Sequence, residues 1–129
     1  AKLTELRRLE LNMLEIQDIS EIEHLKKLDR LSLRNNNIKD LSPLASLKNL
    51  WSIDIGDNPV SDLEPLSACT RLHKISLNKT ELTSLKPLAK LQDLEEIDVH
   101  NIFEGDKETP ISSEELEHFK AARPEVTVR

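Results

Sequence analysis

Leu25-Lys26-Lys27-Leu28-Asp29-Arg30-Leu31-Ser32-Leu33, followed by Asn36, Ile38, Asp40, Leu41, Pro43 and Leu44, is the stretch whose pattern decides the fold. Moved on by 22 residues, the frame returns as Leu47, Leu50, Ile53, Ile55, Asn58, Val60, Asp62, Leu63, Pro65 and Leu66. Moved again, it reads Cys69, Leu72, Ile75, Leu77, Thr80, Leu82, Ser84, Leu85, Pro87 and Leu88. Upstream, Leu3, Leu6, Leu9, Leu11, Leu14, Ile16, Asp18, Ile19 and Ile22 obey the same frame. Downstream, Leu91, Leu94, Ile97 and Val99 begin another copy, and the frame then breaks. The units are 3–24, 25–46, 47–68, 69–90 and a partial 91–103, with a cap at 104–129, in one domain over 1–129.

Each feature of the frame has a physical meaning. In Leu31-Ser32-Leu33 the apolar residues are two apart, which is strand spacing. Such a strand is too short to stand alone. Stacked units pair each strand with its neighbours in a parallel sheet, and the flanking Leu and Ile fill a continuous core. Asn36 and Asn58 follow the last apolar strand position by three residues. A side-chain amide there bonds backbone groups of the turn and of the next coil. The return segment Asp40-Leu41-Ser42-Pro43-Leu44 is too short for a full helix, and Pro43, Pro65 and Pro87 favour 3₁₀ turns.

The unit resembles that of short 22-residue leucine-rich repeat proteins. It is most similar to internalin-type repeats of bacteria and is also similar to the leucine-rich regulatory subunits of eukaryotic phosphatases. The resemblance implies an α/β fold, a right-handed curved solenoid. A parallel sheet lines its concave face, short 3₁₀ turns its convex face, and a helical cap closes the C-terminal end. It also implies a protein-interaction role. The two likenesses point to different compartments, a bacterial surface or secretion against the cytosol. The constant 22-residue length, with Asp-Leu-x-Pro-Leu turns at 40–44 and 62–66, leans to the bacterial one. Leu14 and Thr80 stand where asparagine is expected. Internalins also carry an N-terminal helical cap, and nothing here precedes Leu3 in that role. Leu3, Leu6, Ile16 and Ile19 are therefore expected to face outward. On that reading the chain is a fragment, or its first edge pairs with another chain, including a second copy of itself.

At the other end, Ser112 or Ser113 is placed to N-cap a helix with acidic residues in its first turn. Leu116 and Phe119 share one face of it, and Val126-Thr127-Val128 alternates as a closing strand.

Composition excludes other classes. Leucine fills 23 of 129 positions, against two glycines and two phenylalanines, with no tyrosine. So few glycines argue against a phosphate-cradling loop. A net charge of −6 argues against a nucleic-acid binder, because phosphate contacts need a basic face. No apolar run approaches the ~20 residues of a membrane span. The single cysteine, Cys69, sits at a core leucine position and reads as a small hydrophobe. No cofactor is implied. His73 and His100 lie on neighbouring coils at different columns, which does not make a zinc site, and His24 and His118 read as surface residues.

The candidate site is the concave face. By register one column is Arg8, Arg30, Ser52, Lys74 and Glu96, the next Glu10, Ser32, Asp54, Ser76 and Asp98, and a third Asn12, Arg34, Gly56, Asn78 and His100. Ahead of the strands run Arg7, Asp29, Trp51, His73 and Glu95. The face therefore reads basic at its start and acidic at its end, which either steers a partner or is a solvated mixed face. The partner-binding residues expected are Arg8, Arg30, Arg34, Trp51, Asp54, His73, Lys74, Glu96, Asp98 and His100. Trp51 is read either as a binding hot spot or as a ring packed over the sheet. The first reading predicts that its removal changes stability by no more than about 1 kcal/mol. Five coils at about 4.8 Å per step give a face about 20–25 Å long. That suits an interface of about 800 Å² per partner or less.

Overall fold

The computed structural model describes residues 3–82, 84–99 and 111–129. Six parallel strands form one sheet in sequence order: β1 (Arg8–Glu10), β2 (Arg30–Ser32), β3 (Ser52–Asp54), β4 (Lys74–Ser76), β5 (Glu96–Asp98) and β6 (Thr127–Val128). The register runs Arg8, Arg30, Ser52, Lys74, Glu96, Thr127 across the sheet. Each return segment is one 3₁₀ turn, at Ser20–His24, Ser42–Ser46, Glu64–Ala68 and Lys86–Lys90. Strands line the concave side of the solenoid and these turns the convex side.

The core is a single aliphatic column. Leu28, Leu31, Leu33, Ile38, Leu41 and Leu44 of one coil are buried, and their equivalents in the next two coils continue it. Cys69 is fully buried in the leucine series, with its thiol against the Leu44 carbonyl at 3.1 Å. Two devices bring the backbone through each bend. Met13, Asn35, Asp57 and Lys79 all take left-handed conformations, with φ of 55–59°. Asparagine and aspartate tolerate that region, whereas a methionine or lysine there costs about 1 kcal/mol. Asn36 and Asn58 then tie neighbouring coils together. The amide of Asn58 donates to Leu33 O at 2.9 Å and Ile55 O at 3.0 Å, and its oxygen accepts the Ile38 N–H at 3.1 Å. Asn36 repeats this with Leu11 O, Leu33 O, Leu14 N–H and Ile16 N–H. Thr80 is buried in the equivalent place and donates to Leu77 O at 2.8 Å, so the bond within its own turn is kept without the amide.

The repeating aspartate has its own role. Asp18, Asp40 and Asp62 each accept the backbone N–H two residues on at 2.9 Å, opening the 3₁₀ turn, and Ser84 does the same for Lys86 at 3.1 Å. Proline then follows inside the turn at 43, 65 and 87.

Helix α1 (Ser113–Ala122) caps the C-terminal end. Ser112 is its N-cap and accepts the Glu115 N–H at 3.1 Å. Glu115 reaches back to Ser84 Oγ and the Leu85 N–H, and Arg123 donates to the Ala89 and Leu91 carbonyls. Phe119, Ile111 and Val126 complete the core beneath.

The first coil differs from the expectation that its apolar residues face outward. Ile19 is in the core at 3% exposure, and Leu6 and Ile16 pack against it. A coil wraps its apolar side chains around its own interior, so a terminal coil opens one flank rather than its whole apolar set. Leu3 does remain exposed, with Met13 and Leu14.

Candidate concave-face site

The middle of the concave face carries a ladder of planar groups. Trp51, just ahead of β3, stacks on His73, just ahead of β4, with ring centroids 4.9 Å apart and planes 20° apart. The stack follows from the backbone. Trp51 N–H donates to Asp29 O at 2.7 Å and His73 N–H to Trp51 O at 2.8 Å, which puts the two side chains one coil step apart in register. The Arg30 guanidinium carbon and the Lys74 ammonium each lie 5.6 Å from the centre of the Trp51 ring. The Nδ1 of His73 faces the Arg71 carbonyl at 2.6 Å, and since a carbonyl only accepts, that nitrogen carries the hydrogen. The opposite nitrogen lies 4.0 Å from Glu95. Trp51 is half-buried by these contacts rather than standing free.

Beside the ladder lies an open hollow of about 370 Å³ lined by Arg7, Arg8, Arg30 and Arg71 with Asp29, Asn49 and Trp51. Arg71 donates to Asn49 Oδ1 at 3.2 Å. Among the described residues, no carboxylate oxygen lies within 4.0 Å of any of these four guanidinium groups.

Arg34 and Asp54 occupy a second cluster. The Arg34 guanidinium lies 3.7 Å from Asp54 and 3.1 Å from Asp57, and Asp54 also accepts the Gly56 N–H at 2.9 Å. Gly56 leaves room for the cluster, because a Cβ there would lie 3.1 Å from both Asn78 O and Asp54 Oδ1, which would have to give by a few tenths of an ångström. These residues clamp neighbouring coils to each other. At the far end β6 brings Arg129 beside Glu96, at 3.0 Å, so the acidic end of the face is partly neutralised. Asp98 holds its column position on β5, with its carbonyl accepting the Leu77 N–H. His100 lies outside the described residues.

The structure thus brings Arg8, Arg30, Trp51, His73 and Lys74 to one place and sets Arg34 with Asp54 and Glu96 with Arg129 apart from it. Sequence reasoning missed Asn49 and Arg71. Their signal was their own spacing of 22, which sets them on adjacent coils just ahead of the Trp51 and His73 row. Among the described residues no three metal-binding side chains converge, and no helix is long and apolar enough to cross a membrane.

Comparison with known proteins agrees with this architecture. The leucine-rich repeat family model matches twice, at residues 4–46 and 26–68. The chain belongs to the leucine-rich repeat family. Among solved structures it is similar to internalin C2 of Listeria monocytogenes, at 30% identity and a TM-score of 0.71, over 80% of this chain and 46% of that one. An internalin, inlF, of the same organism aligns at 27% identity and a TM-score of 0.55, over 74% of this chain and 35% of that one. A leucine-rich repeat protein of Leptospira interrogans aligns over 98% of this chain and 32% of its own length, at 24% identity and a TM-score of 0.85, which shows the shared fold. The chain spans less than half the length of each of the three. Among curated proteins none matches it significantly. Proteins of this family are generally protein-interaction modules.

Proposed function

We propose that the chain is a protein-interaction module that binds a protein partner through its concave face, centred on Arg8, Arg30, Trp51, His73 and Lys74. Arg34, Asp54, Glu96 and Asp98 flank the contact, and His100 belongs to the third column by register. The observation that carries the reading is the pre-ordered ladder of Arg30, Trp51, His73 and Lys74 beside a hollow rich in arginine. Tryptophan and arginine are the residue types that dominate binding energies at interfaces, and holding them in place beforehand lowers the entropy lost on docking.

Catalysis has no part in this reading. Burial pushes the Cys69 thiol up to about 11, the opposite of an activated nucleophile. The carboxyls of Glu5, Asp18, Asp40 and Glu125 are held below their usual values by hydrogen-bond donors on the surface, which suits no proton donor. The reading involves neither nucleic acid nor membrane insertion.

The test is affinity capture from source-cell extract with the wild type beside a Trp51→Ala/Arg30→Glu double variant of verified fold. The reading expects a protein retained by the wild type and lost by the variant. An identical catch from both contradicts it. The exposed Leu3, Met13 and Leu14 favour a second reading, in which the first coil's edge is the working surface or joins two copies of the chain. Capture that survives the double variant but is lost in Met13→Asp/Leu14→Asp supports that alternative.

A further inference from the structure

The contacts of Trp51 give it a task within the concave-face site beyond its own contact with a partner. One face of its ring is covered by His73, and two cations of its own chain, Arg30 and Lys74, already lie over it. A partner's ring or cation finds little of that surface left. Arg30, by contrast, is exposed and points into the hollow shared with Arg7, Arg8 and Arg71, all exposed as well. Trp51 holds the Arg30 guanidinium in place as Asn49 holds that of Arg71. Four fixed or clustered guanidinium groups face a single carboxylate, Asp29, in a chain whose net charge is −6. Like charges gathered against the overall balance of the chain raise the local potential most where the wall is concave.

The geometry points to an extended acidic segment of a protein partner as the occupant of this hollow, with Trp51 as a positioning residue. This rests on the concave-face reading and narrows it. The hollow spans the first four coils, three steps of about 4.8 Å, or about 14 Å. That is the length of about four extended residues at about 3.3 Å each. A local excess of three positive charges matches about three carboxylates on such a segment. Planar guanidinium forks suit carboxylates taken two oxygens at a time. The backbone N–H groups along the middle of the hollow are already used between the coils. Those of Asp29 and Arg30 donate to Arg7 O, and those of Trp51 and Ser52 to Asp29 O. Beside Asp29, Arg30 and Trp51 recognition therefore falls to the guanidinium side chains rather than to a backbone cradle of the kind that holds a compact phosphoryl group.

The probe is a fluorescein-labelled peptide, Gly-Glu-Glu-Asp-Glu-Gly, titrated by anisotropy against the full chain, beside a control peptide with Gln and Asn in place of the acids. The expected result is saturable binding of the acidic peptide, weakened by salt, with no saturation by the control. Arg8→Gln/Arg30→Gln should weaken it about tenfold or more, the equivalent of one lost charge-assisted hydrogen bond. Lys39→Gln, an exposed lysine away from the concave face, should leave it within about twofold, as expected for a charge screened by salt at that distance. Trp51→Leu should weaken the peptide several-fold while Trp51→Phe, which keeps a ring under Arg30, restores most of it; a merely structural role would not show that rescue in binding when both variants are folded. Equal binding of the two peptides, or an unchanged affinity in the arginine double variant, overturns the assignment. Displacement of the peptide by inorganic phosphate but not by acetate at equal ionic strength also overturns it, in favour of phosphoryl groups. If the peptide fails while partner capture is still lost in Trp51→Ala/Arg30→Glu, the acidic-segment inference falls and the concave-face reading stands. If capture survives as well, both fall.

Discussion

Replacing Asn58 by Leu tests how the coils are held together, and its cost is worked from the bonds that Asn58 makes. The residue is 2% exposed and bonds four groups that lie one coil apart or in its own turn: Leu33 O, Ile55 O, Gly56 O and the Ile38 N–H. Leucine fills a similar volume but leaves these groups without their amide. A buried group stripped of its partner costs about 1–3 kcal/mol. The Ile38 N–H is the firmest case, since a donor has no second site to satisfy, and the three carbonyls, each with a second lone pair, add less each. The total comes to about 3–5 kcal/mol. Asn58→Thr should lose only part of that, about 1–3 kcal/mol, because Thr80 shows that a hydroxyl in this place keeps the bond within its own turn, to Leu77 O. The assay is urea unfolding followed by circular dichroism and, separately, by fluorescence of Trp51, the only tryptophan. Coincident curves justify a single free energy, which a repeat array does not guarantee. A loss under about 1 kcal/mol for Asn58→Leu would refute the claim that the asparagine ladder fastens the coils.

Three further outcomes follow from the same structure. Trp51→Ala should lower stability by about 2–3 kcal/mol, from about 1 for the stacked pair and about 0.5–1 for each cation over the ring, measured by the same unfolding assay. Cys69 should resist a thiol-specific reagent in the native chain at about pH 8 and react fully in urea, because burial suppresses its thiolate. The unfolded thiol ionises from 9.0 and the folded one only at about 11, so stability is unaffected below that window and falls as pH rises through it. At the acid end, the Ser20 and Ser42 donors hold the carboxyls of Asp18 and Asp40 below their usual values. Their contribution is full above the unfolded pKa and lost as pH falls through the folded one. Asp18→Asn/Asp40→Asn should therefore lose less stability than the wild type between about pH 5 and about pH 2, read from melting temperatures across that range.

The architecture was legible because the frame repeats a physical rule at each turn: Leu31-Ser32-Leu33 can only be a strand buried on one side, and Asn36 sits where a coil needs an amide. The N-cap was legible as Ser112 or Ser113, of which Ser112 holds it, and the closing strand Thr127–Val128 falls within the alternating Val126-Thr127-Val128. Register also placed Arg8, Arg30 and Lys74 in one column, as the sheet does. What spacing does not carry is which side chains touch. Spacing sets Arg34 on the face but does not show that its guanidinium lies against Asp54 and Asp57, beside a Gly56 whose added Cβ would crowd Asp54. For Trp51 spacing leaves open a hot spot or a packed ring, and it does not show that the ring lies half-buried between His73, Arg30 and Lys74 of its own chain. The charge gradient weakened for a reason no column shows: the chain returns after α1 and sets Arg129 beside Glu96. Ile19 counted as outward-facing because repeat position says nothing about which way a terminal coil closes.

The most direct test of the central claim is site-specific photocrosslinking to the captured partner from two positions: Ser52, at the middle of the concave sheet, and Glu21, exposed on a convex turn. The account predicts a crosslinked product from Ser52 and none from Glu21. A product from Glu21 with none from Ser52 would contradict it.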